Sequence, residues 1–150
     1  MRKTLALILL AAASVAMASP GPYDEAADAK TEIATTLAEA QRAKLPVLVV
    51  FGANWCGDCK VLDMAFKSGA AAALMAQNFR VVKVDVGRFT KNTDIAEAYG
   101  VVLKKGIPAV ALLSSEGKPI YATKAGELSN ARQMGDQAIY DFFAKVAKGG

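Results

Sequence analysis

Two cysteines, Cys56 and Cys59, are the residues of this sequence with the clearest capacity for chemistry. They follow a run of apolar residues and stand at the start of a helical pattern. The first turn of a helix has unpaired backbone N–H groups and partial positive charge, which stabilise a thiolate. The pKa of cysteines in such motifs ranges from roughly 3.5 to 7.5, against about 8.5 for a free thiol. We therefore expect an exposed, nucleophilic Cys56 and a resolving Cys59 one turn later.

Other uses of two cysteines are less consistent with the sequence. A closed structural zinc site needs four ligands, and the chain has two cysteines and no histidine, so we expect no metal site. The lack of histidine also excludes Ser-His-Asp and Cys-His catalysis. A purely structural disulfide remains an alternative, although so short a loop removes little entropy from the unfolded chain. Redox exchange is the favoured interpretation.

The first 18 residues have the order of a secretory signal, with a basic pair, an apolar run and a small-residue triplet. These are Arg2 and Lys3, residues 5–15, and Ala16-Met17-Ala18. The apolar run is shorter than the roughly 20 residues that span a bilayer, so we expect cleavage after residue 18 and no stable membrane insertion. Residues 19–150 then form a single domain, periplasmic or secreted, in a compartment where disulfides persist.

Composition and charge exclude two further classes of protein. With 53% hydrophobic and 21% charged residues, the chain is far from the composition of disordered proteins. The formal net charge is +4, and two of those charges belong to the predicted signal. The remaining basic residues are scattered, with only Lys104 and Lys105 adjacent, so no nucleic-acid partner is expected.

Hydrophobic periodicity and turn residues predict an alternation of helices and strands. The predicted order is a helix over residues 24–43, a buried strand over 45–51, a helix from the cysteines through 66, a break at 68–69, a second helical piece to 77, a strand over 79–86, a short helix starting at 92 or 93 and ending at 99, hairpin strands over 109–113 and 119–123, and a helix over 134–147. This order implies an α/β protein with a mixed central sheet and helices on both faces.

Two local motifs give the sequence a resemblance to a known family. The residues Trp55-Cys56-Gly57-Asp58-Cys59-Lys60 follow an apolar strand, and Gly106-Ile107-Pro108 precede another. In these motifs and in the order of elements, from about residue 31 to 148, the chain resembles the thioredoxin superfamily. The resemblance implies a thioredoxin-like fold and a redox site shaped by Trp55, Gly57, Asp58 and Lys60.

The resemblance also implies a place for the substrate. The family proline matching Pro108 is cis and faces the disulfide, and the backbone of the residue matching Ile107 pairs with the substrate as an added strand. Trp55 is expected to shield the thiolate and to offer a flat apolar contact to a peptide. No cofactor is expected, and the implied partners are proteins with disulfides and an unidentified thiol electron donor.

Several positions depart from the usual thioredoxin pattern. Asp58 stands where the family usually has a proline. If its charge lies about 7 Å from a cysteine sulfur, it would raise the pKa of that thiol by about 0.4 to 1.7 units. The alternative is that Asp58 is an exposed acid that complements the helix dipole. Val50 stands where the family has a buried acid, and Lys83 is expected to be a surface lysine. Residues 87–105 are longer than in a minimal thioredoxin, and the polar stretch 88–93 is a candidate for partner selection.

The sequence thus predicts an exported thiol–disulfide oxidoreductase, with a preference for a reductase of protein disulfides. The open alternatives are an oxidase or isomerase with the same sulfurs, and a peptide-binding module without turnover. A copper or haem-maturation chaperone is weaker, because two cysteines without nearby histidine or methionine make a poor metal site.

Overall fold

The computed structural model describes residues 21–150, so the predicted signal over residues 1–18 lies outside the described part. Five helices and four strands follow one another in that part. They are α1 (Ala29–Ala43), β1 (Val47–Gly52), α2 (Gly57–Ser68), α3 (Ala72–Asn78), β2 (Arg80–Asp85), α4 (Thr93–Ala98), β3 (Ala109–Leu113), β4 (Pro119–Ala122) and α5 (Ala131–Val146). A turn of 3₁₀ helix, Leu103–Lys105, lies between α4 and β3. None of the described helices is long and apolar enough to cross a membrane.

The strands form one mixed sheet in the order β2-β1-β3-β4. β1 pairs parallel with β2 and antiparallel with β3, and β3 pairs antiparallel with β4. The expected mixed sheet is confirmed. The hairpin between β3 and β4 closes through Gly117, which adopts a φ of 88° that glycine tolerates without strain.

β1 is buried along its whole length, which explains the unbroken apolar run in the sequence. Val47, Val49 and Phe51 pack in a core cluster with α1, whereas Leu48 and Val50 pack in a second cluster with α2 and α5. Because successive side chains of a strand point to opposite faces, the sheet is covered on both sides. β1 is therefore a rigid central element, and the cysteine motif follows directly at its carboxyl end.

Three predicted element details differ from the structure. α1 begins at Ala29, five residues later than predicted, because the Asp28 carboxylate accepts the N–H of Thr31 at 2.7 Å and caps the helix there. α5 begins at Ala131 but is interrupted at Gly135, whose φ is 73° and ψ 162°. Asn92 precedes α4 as predicted, yet its side chain donates to the backbone carbonyl of Asp85 instead of capping the helix.

Candidate functional site

The two cysteines form a disulfide at the N-terminus of α2. Cys56 is the N-cap residue, with extended backbone angles, and Cys59 lies in the first turn. The Cα atoms of the two cysteines are 5.2 Å apart. The N–H of Cys59 donates to Sγ of Cys56 at 3.1 Å. This hydrogen bond places a free amide of the helix terminus on the sulfur that the sequence predicted to be nucleophilic.

The prediction that Cys56 is exposed was wrong. Cys56 is 5% exposed and Cys59 is 1% exposed, and both belong to the core cluster on the α1 face of the sheet. The reason is the loop before β3, since the carbonyl oxygen of Ile107 lies 3.6 Å from Sγ of Cys56. The disulfide is therefore largely shielded from solvent.

The Ile107–Pro108 peptide bond is cis, as the resemblance implied. Both residues are buried. Gly106, with a φ of 114°, turns the chain into this bond, and a side chain there would collide with Ser129. The Ile107 carbonyl thus faces the nucleophile position directly.

Asp58 lies in the first turn of α2, as the alternative interpretation required, but the expectation that it is exposed was wrong. Its side chain is 13% exposed, and its carboxylate accepts the backbone N–H of Arg132 at 2.9 Å. The Arg132 Nε is 3.3 Å from the same oxygen. A Cβ added at Gly57 would lie 3.2 Å from Nη1 of Arg132, so the guanidinium lies beside the motif. Arg132 is therefore the counter-charge of Asp58 beside the cysteine motif.

Trp55 is 47% exposed beside the disulfide. Its Nε1 donates to the Gly87 carbonyl at 2.9 Å, and the guanidinium carbon of Arg88 lies 5.2 Å from the ring centroid. Phe89 meets Trp55 edge to face, although its φ of 62° is unusual for an aromatic residue. The polar stretch 88–93 thus holds an aromatic and cationic surface against Trp55.

An apolar groove with a volume of about 690 Å³ begins at Phe89 and continues along the loop before the cis-proline. Its lining includes Phe89, Val101, Val102, Leu103, Lys104 and Gly106. Residues 87–105 therefore build one wall of the surface beside the disulfide. Lys60 is also exposed, but its side chain contacts neither sulfur among the described residues.

Lys83 is not the surface lysine that the sequence predicted. Its side chain is 23% exposed and forms an ion pair with Asp63 of α2, which also binds Lys67 at 2.8 Å. Burial lowers the pKa of Lys83. Val50, which is in register with Lys83, is 1% exposed, so the position that holds an acid in the family is apolar here.

Sequence reasoning missed the residues behind the disulfide. Tyr23 and Asp85 are buried, and a Cβ added at Gly52 would collide with the Tyr23 hydroxyl and lie 2.9 Å from Sγ of Cys59. Burial raises the pKa of Tyr23 far above its usual value, and the nearby Asp85 charge adds to this effect. Tyr23 precedes the first helix in an irregular segment, where no periodic signal points to a role.

Comparison with known proteins agrees with this geometry. Residues 28–115 match the model of a family described as thioredoxin-like. The chain belongs to the thioredoxin-like family. Its Cys56–Cys59 pair is a CxxC pair and forms a disulfide.

Individual relatives carry names from several branches of this family. The crystal structure of a disulphide isomerase from Xylella fastidiosa Temecula1 is 52% identical, covers 83% of this chain and 95% of its own, and has a TM-score of 0.79. Thioredoxin from Acidithiobacillus ferridurans is 35% identical over 91 residues, which are 61% of this chain and 75% of that protein. The thiol:disulfide interchange protein DsbD of Vibrio vulnificus is 30% identical over 118 residues, 78% of this chain, but the chain spans only 18% of the length of that relative.

Proposed function

We propose that this protein is an exported reductase of protein disulfides in which Cys56 attacks and Cys59 resolves. The Cys56 thiolate attacks a substrate disulfide, forms a mixed disulfide and releases one substrate sulfur as a thiolate. The Cys59 thiolate then attacks Cys56, which re-forms the Cys56–Cys59 bond and releases the second substrate sulfur. The observation that carries the proposal is the Cys59 N–H on Sγ of Cys56, 3.1 Å away at the N-terminus of α2.

The surroundings of Cys56 support the reducing direction. Strong oxidants of this class stabilise their reduced form, with the attacking sulfur as a thiolate. Here one amide favours the thiolate, whereas the Ile107 carbonyl at 3.6 Å accepts a hydrogen bond only from the protonated thiol. Among the described residues, no basic side chain donates a hydrogen bond to either sulfur, and the nearby Arg132 is paired with Asp58. The reduced form is thus only weakly stabilised, and the pair tends to give its electrons away.

The substrate is proposed to bind between Trp55 and the cis-proline loop. A peptide segment containing the target disulfide pairs with the Ile107 backbone as an added strand and packs against Pro108. Trp55 and the apolar groove beyond Phe89 then contact the flanking side chains. An external thiol donor returns the Cys56–Cys59 disulfide to the dithiol after each cycle, because the reaction leaves the protein oxidised.

Isomerase activity is a second candidate, because the 52% identical protein from Xylella fastidiosa carries the name disulphide isomerase. The midpoint potential against glutathione separates the two. We expect a value near the −270 mV typical of thioredoxin, whereas about −180 mV would favour an isomerase and about −120 mV an oxidase.

Trapping tests turnover on protein substrates. The chain, expressed with its leader in a Gram-negative host, is expected in the periplasmic extract with Ser19 as its first residue. The Cys59→Ser variant should retain partners through a disulfide to Cys56 that reducing agent releases. The matched Cys56→Ser variant should retain none, because its remaining thiol is 1% exposed. Equal, reductant-insensitive capture by the variant that lacks both cysteines would instead support a binding module without turnover.

A further inference from the structure

Residues 21–25, which we call the strap, cross the site just ahead of α1. The N–H of Tyr23 donates to Oδ1 of Asn54 at 2.9 Å, and Nδ2 of Asn54 donates back to the Tyr23 carbonyl at 2.9 Å. Nζ of Lys91 donates to the Glu25 carbonyl at 2.8 Å. Asn54 immediately precedes the cysteine motif, so these hydrogen bonds hold the strap against the site.

The strap brings the hydroxyl of Tyr23 to the resolving sulfur. Gly52, the last residue of β1, has no side chain, and the space that a Cβ would fill is shared by two groups. That position lies 2.9 Å from Sγ of Cys59 and closer still to the Tyr23 hydroxyl. The hydroxyl and the sulfur thus border the same small space beside Gly52, although no hydrogen bond joins them in the disulfide form, and Tyr23 is only 4% exposed.

Cys59 needs such a neighbour because its own surroundings are poor in donors. The residue is 1% exposed, and no described backbone N–H or side chain donates to its sulfur. Val50 occupies the position of the acid that would serve this sulfur in the family. A thiolate buried without a hydrogen bond is strongly disfavoured, which would leave Cys59 a slow attacking group.

We propose that the Tyr23 hydroxyl donates a hydrogen bond to the Cys59 thiolate and thereby makes Cys59 an effective resolving group. The inference rests on the proposed function, in which Cys59 attacks the mixed disulfide at Cys56. Cys59 loses its proton to solvent, its sulfur forms the bond to Cys56, and the substrate leaves as a thiolate. Tyr23 keeps its proton throughout and acts only as a donor.

The charges around Cys59 are consistent with a neutral tyrosine. Asp85 approaches from β2 and disfavours the tyrosinate, and Lys91 lies 3.4 Å from its carboxylate. On α2 itself, Asp58 is paired with Arg132 and Asp63 with Lys83 and Lys67. Cys56, the disulfide partner of Cys59, is bonded to the substrate when Cys59 attacks. The hydroxyl is therefore the group best placed to stabilise a thiolate at Cys59.

Stoichiometric Ellman's reagent separates the two attacks. The reduced protein releases one thionitrobenzoate when Cys56 attacks the reagent and a second when Cys59 resolves the mixed disulfide. In the Tyr23→Phe variant we expect the pKa of Cys59 to rise by about one unit, which lowers its thiolate fraction about tenfold at neutral pH. A more basic thiolate is about threefold more nucleophilic, so the second phase should be about threefold slower at neutral pH and about threefold faster at its alkaline plateau.

Controls distinguish this effect from a general disturbance of the site. The first phase and its pH profile should be unchanged in Tyr23→Phe, and Tyr99→Phe, which alters a half-buried tyrosine elsewhere, should leave both phases unchanged. Asn54→Ala, which releases the strap, should slow the second phase in the Tyr23 protein but not in the Tyr23→Phe background.

A second measurement keeps the inference separate from the proposed function. In a Cys56→Ser protein, the NMR chemical shift of the Cys59 Cβ across a pH series reports the pKa of Cys59 without requiring a reagent to reach the buried thiol, and Tyr23→Phe should raise that pKa. An unchanged Cys59 pKa and an unchanged second phase would overturn the role of Tyr23. Absence of the first phase from the unmodified protein would instead contradict Cys56 as the attacking thiol.

Discussion

At the scale of single residues, the charge of Asp58 acts on the cysteines together with that of Arg132. The carboxylate accepts the backbone N–H of Arg132 at 2.9 Å, forms an ion pair with Nε of Arg132 at 3.3 Å, and is largely shielded from water. The opposite charges lie beside the same motif, so we expect their effects on a thiolate at Cys56 to cancel in large part. A prediction made from the charge of Asp58 alone, or from that of Arg132 alone, would therefore give the wrong sign or size for the change in the Cys56 pKa.

A double-mutant cycle tests this cancellation. Arg132→Gln leaves the Asp58 charge uncompensated and should raise the pKa of Cys56 by about 0.4 to 1.7 units. Asp58→Asn leaves the cation and should lower that pKa, and the double variant should return close to the unmodified value. Rates of iodoacetamide alkylation at Cys56 across a pH series measure each pKa. Equal pKa values in all four proteins would show that neither charge reaches the sulfur.

At the scale of elements, α2 is fixed to the sheet by an ion pair. Asp63 on α2 binds Lys83 on β2, and both side chains are mostly removed from water. The helix that carries both cysteines therefore has a polar attachment to the edge strand in addition to its apolar packing on β1. Replacing either residue by a neutral one leaves the charge of the other partly buried without a counter-charge.

Stability measurements test the importance of this attachment. Asp63→Asn should lower the free energy of unfolding by about 1 to 3 kcal/mol, because Lys83 then stays half-buried and unpaired. Replacing both partners by Asp63→Leu and Lys83→Met should recover most of that loss. Lys67→Gln is the control, since Lys67 is 65% exposed and its i,i+4 pair contributes about 0.5 kcal/mol or less. Urea denaturation measures the free energy of unfolding of each variant. Equal losses in the Asp63→Asn and Lys67→Gln variants would contradict a stabilising role of the Asp63–Lys83 pair.

At the scale of the whole molecule, the buried tyrosine behind the disulfide makes stability depend on alkaline pH. Burial raises the pKa of Tyr23 above that of an unfolded tyrosine, so the folded state holds this proton more tightly. The stabilisation is fully present below the unfolded pKa of about 10 and is lost as pH rises toward the folded value. Burial lowers the pKa of Lys83, so the contribution of Lys83 has the opposite sign and makes stability rise with pH. That contribution ends at the unfolded lysine pKa of about 10.4.

The expected result is a fall in the free energy of unfolding above about pH 10, with a contribution from Tyr23 of about 1.4 kcal/mol per pH unit. Tyr23→Phe should remove this slope, and Tyr99→Phe should remove less, because Tyr99 is only half-buried. Urea midpoints measured at a series of alkaline pH values provide the test. A slope that is the same in the Tyr23→Phe variant would mean that other groups control alkaline unfolding.

Local patterns were sufficient for the order of elements and for the cysteine pair. The apolar run of β1, the CxxC spacing and the hairpin of β3 and β4 are short-range signals, and each was predicted close to its observed place. The approach of Ile107 and Pro108 to the disulfide came only from the family resemblance. The start of α1 and the interruption of α5 at Gly135 were missed. Hydrophobic periodicity shows neither which residue caps the start of a helix nor where a glycine with positive φ interrupts one.

The contacts that adjust the sulfurs were beyond sequence reasoning. Tyr23 and Asn54 are 31 residues apart, Asp58 and Arg132 are 74 apart, and Asp63 and Lys83 are 20 apart. The sequence by itself determined that two cysteines lie one turn apart at a helix N-terminus. The tertiary structure decided how buried each thiol is and which charge or hydroxyl lies beside it, because electrostatic and hydrogen-bond energies depend on distances that only packing between remote segments establishes.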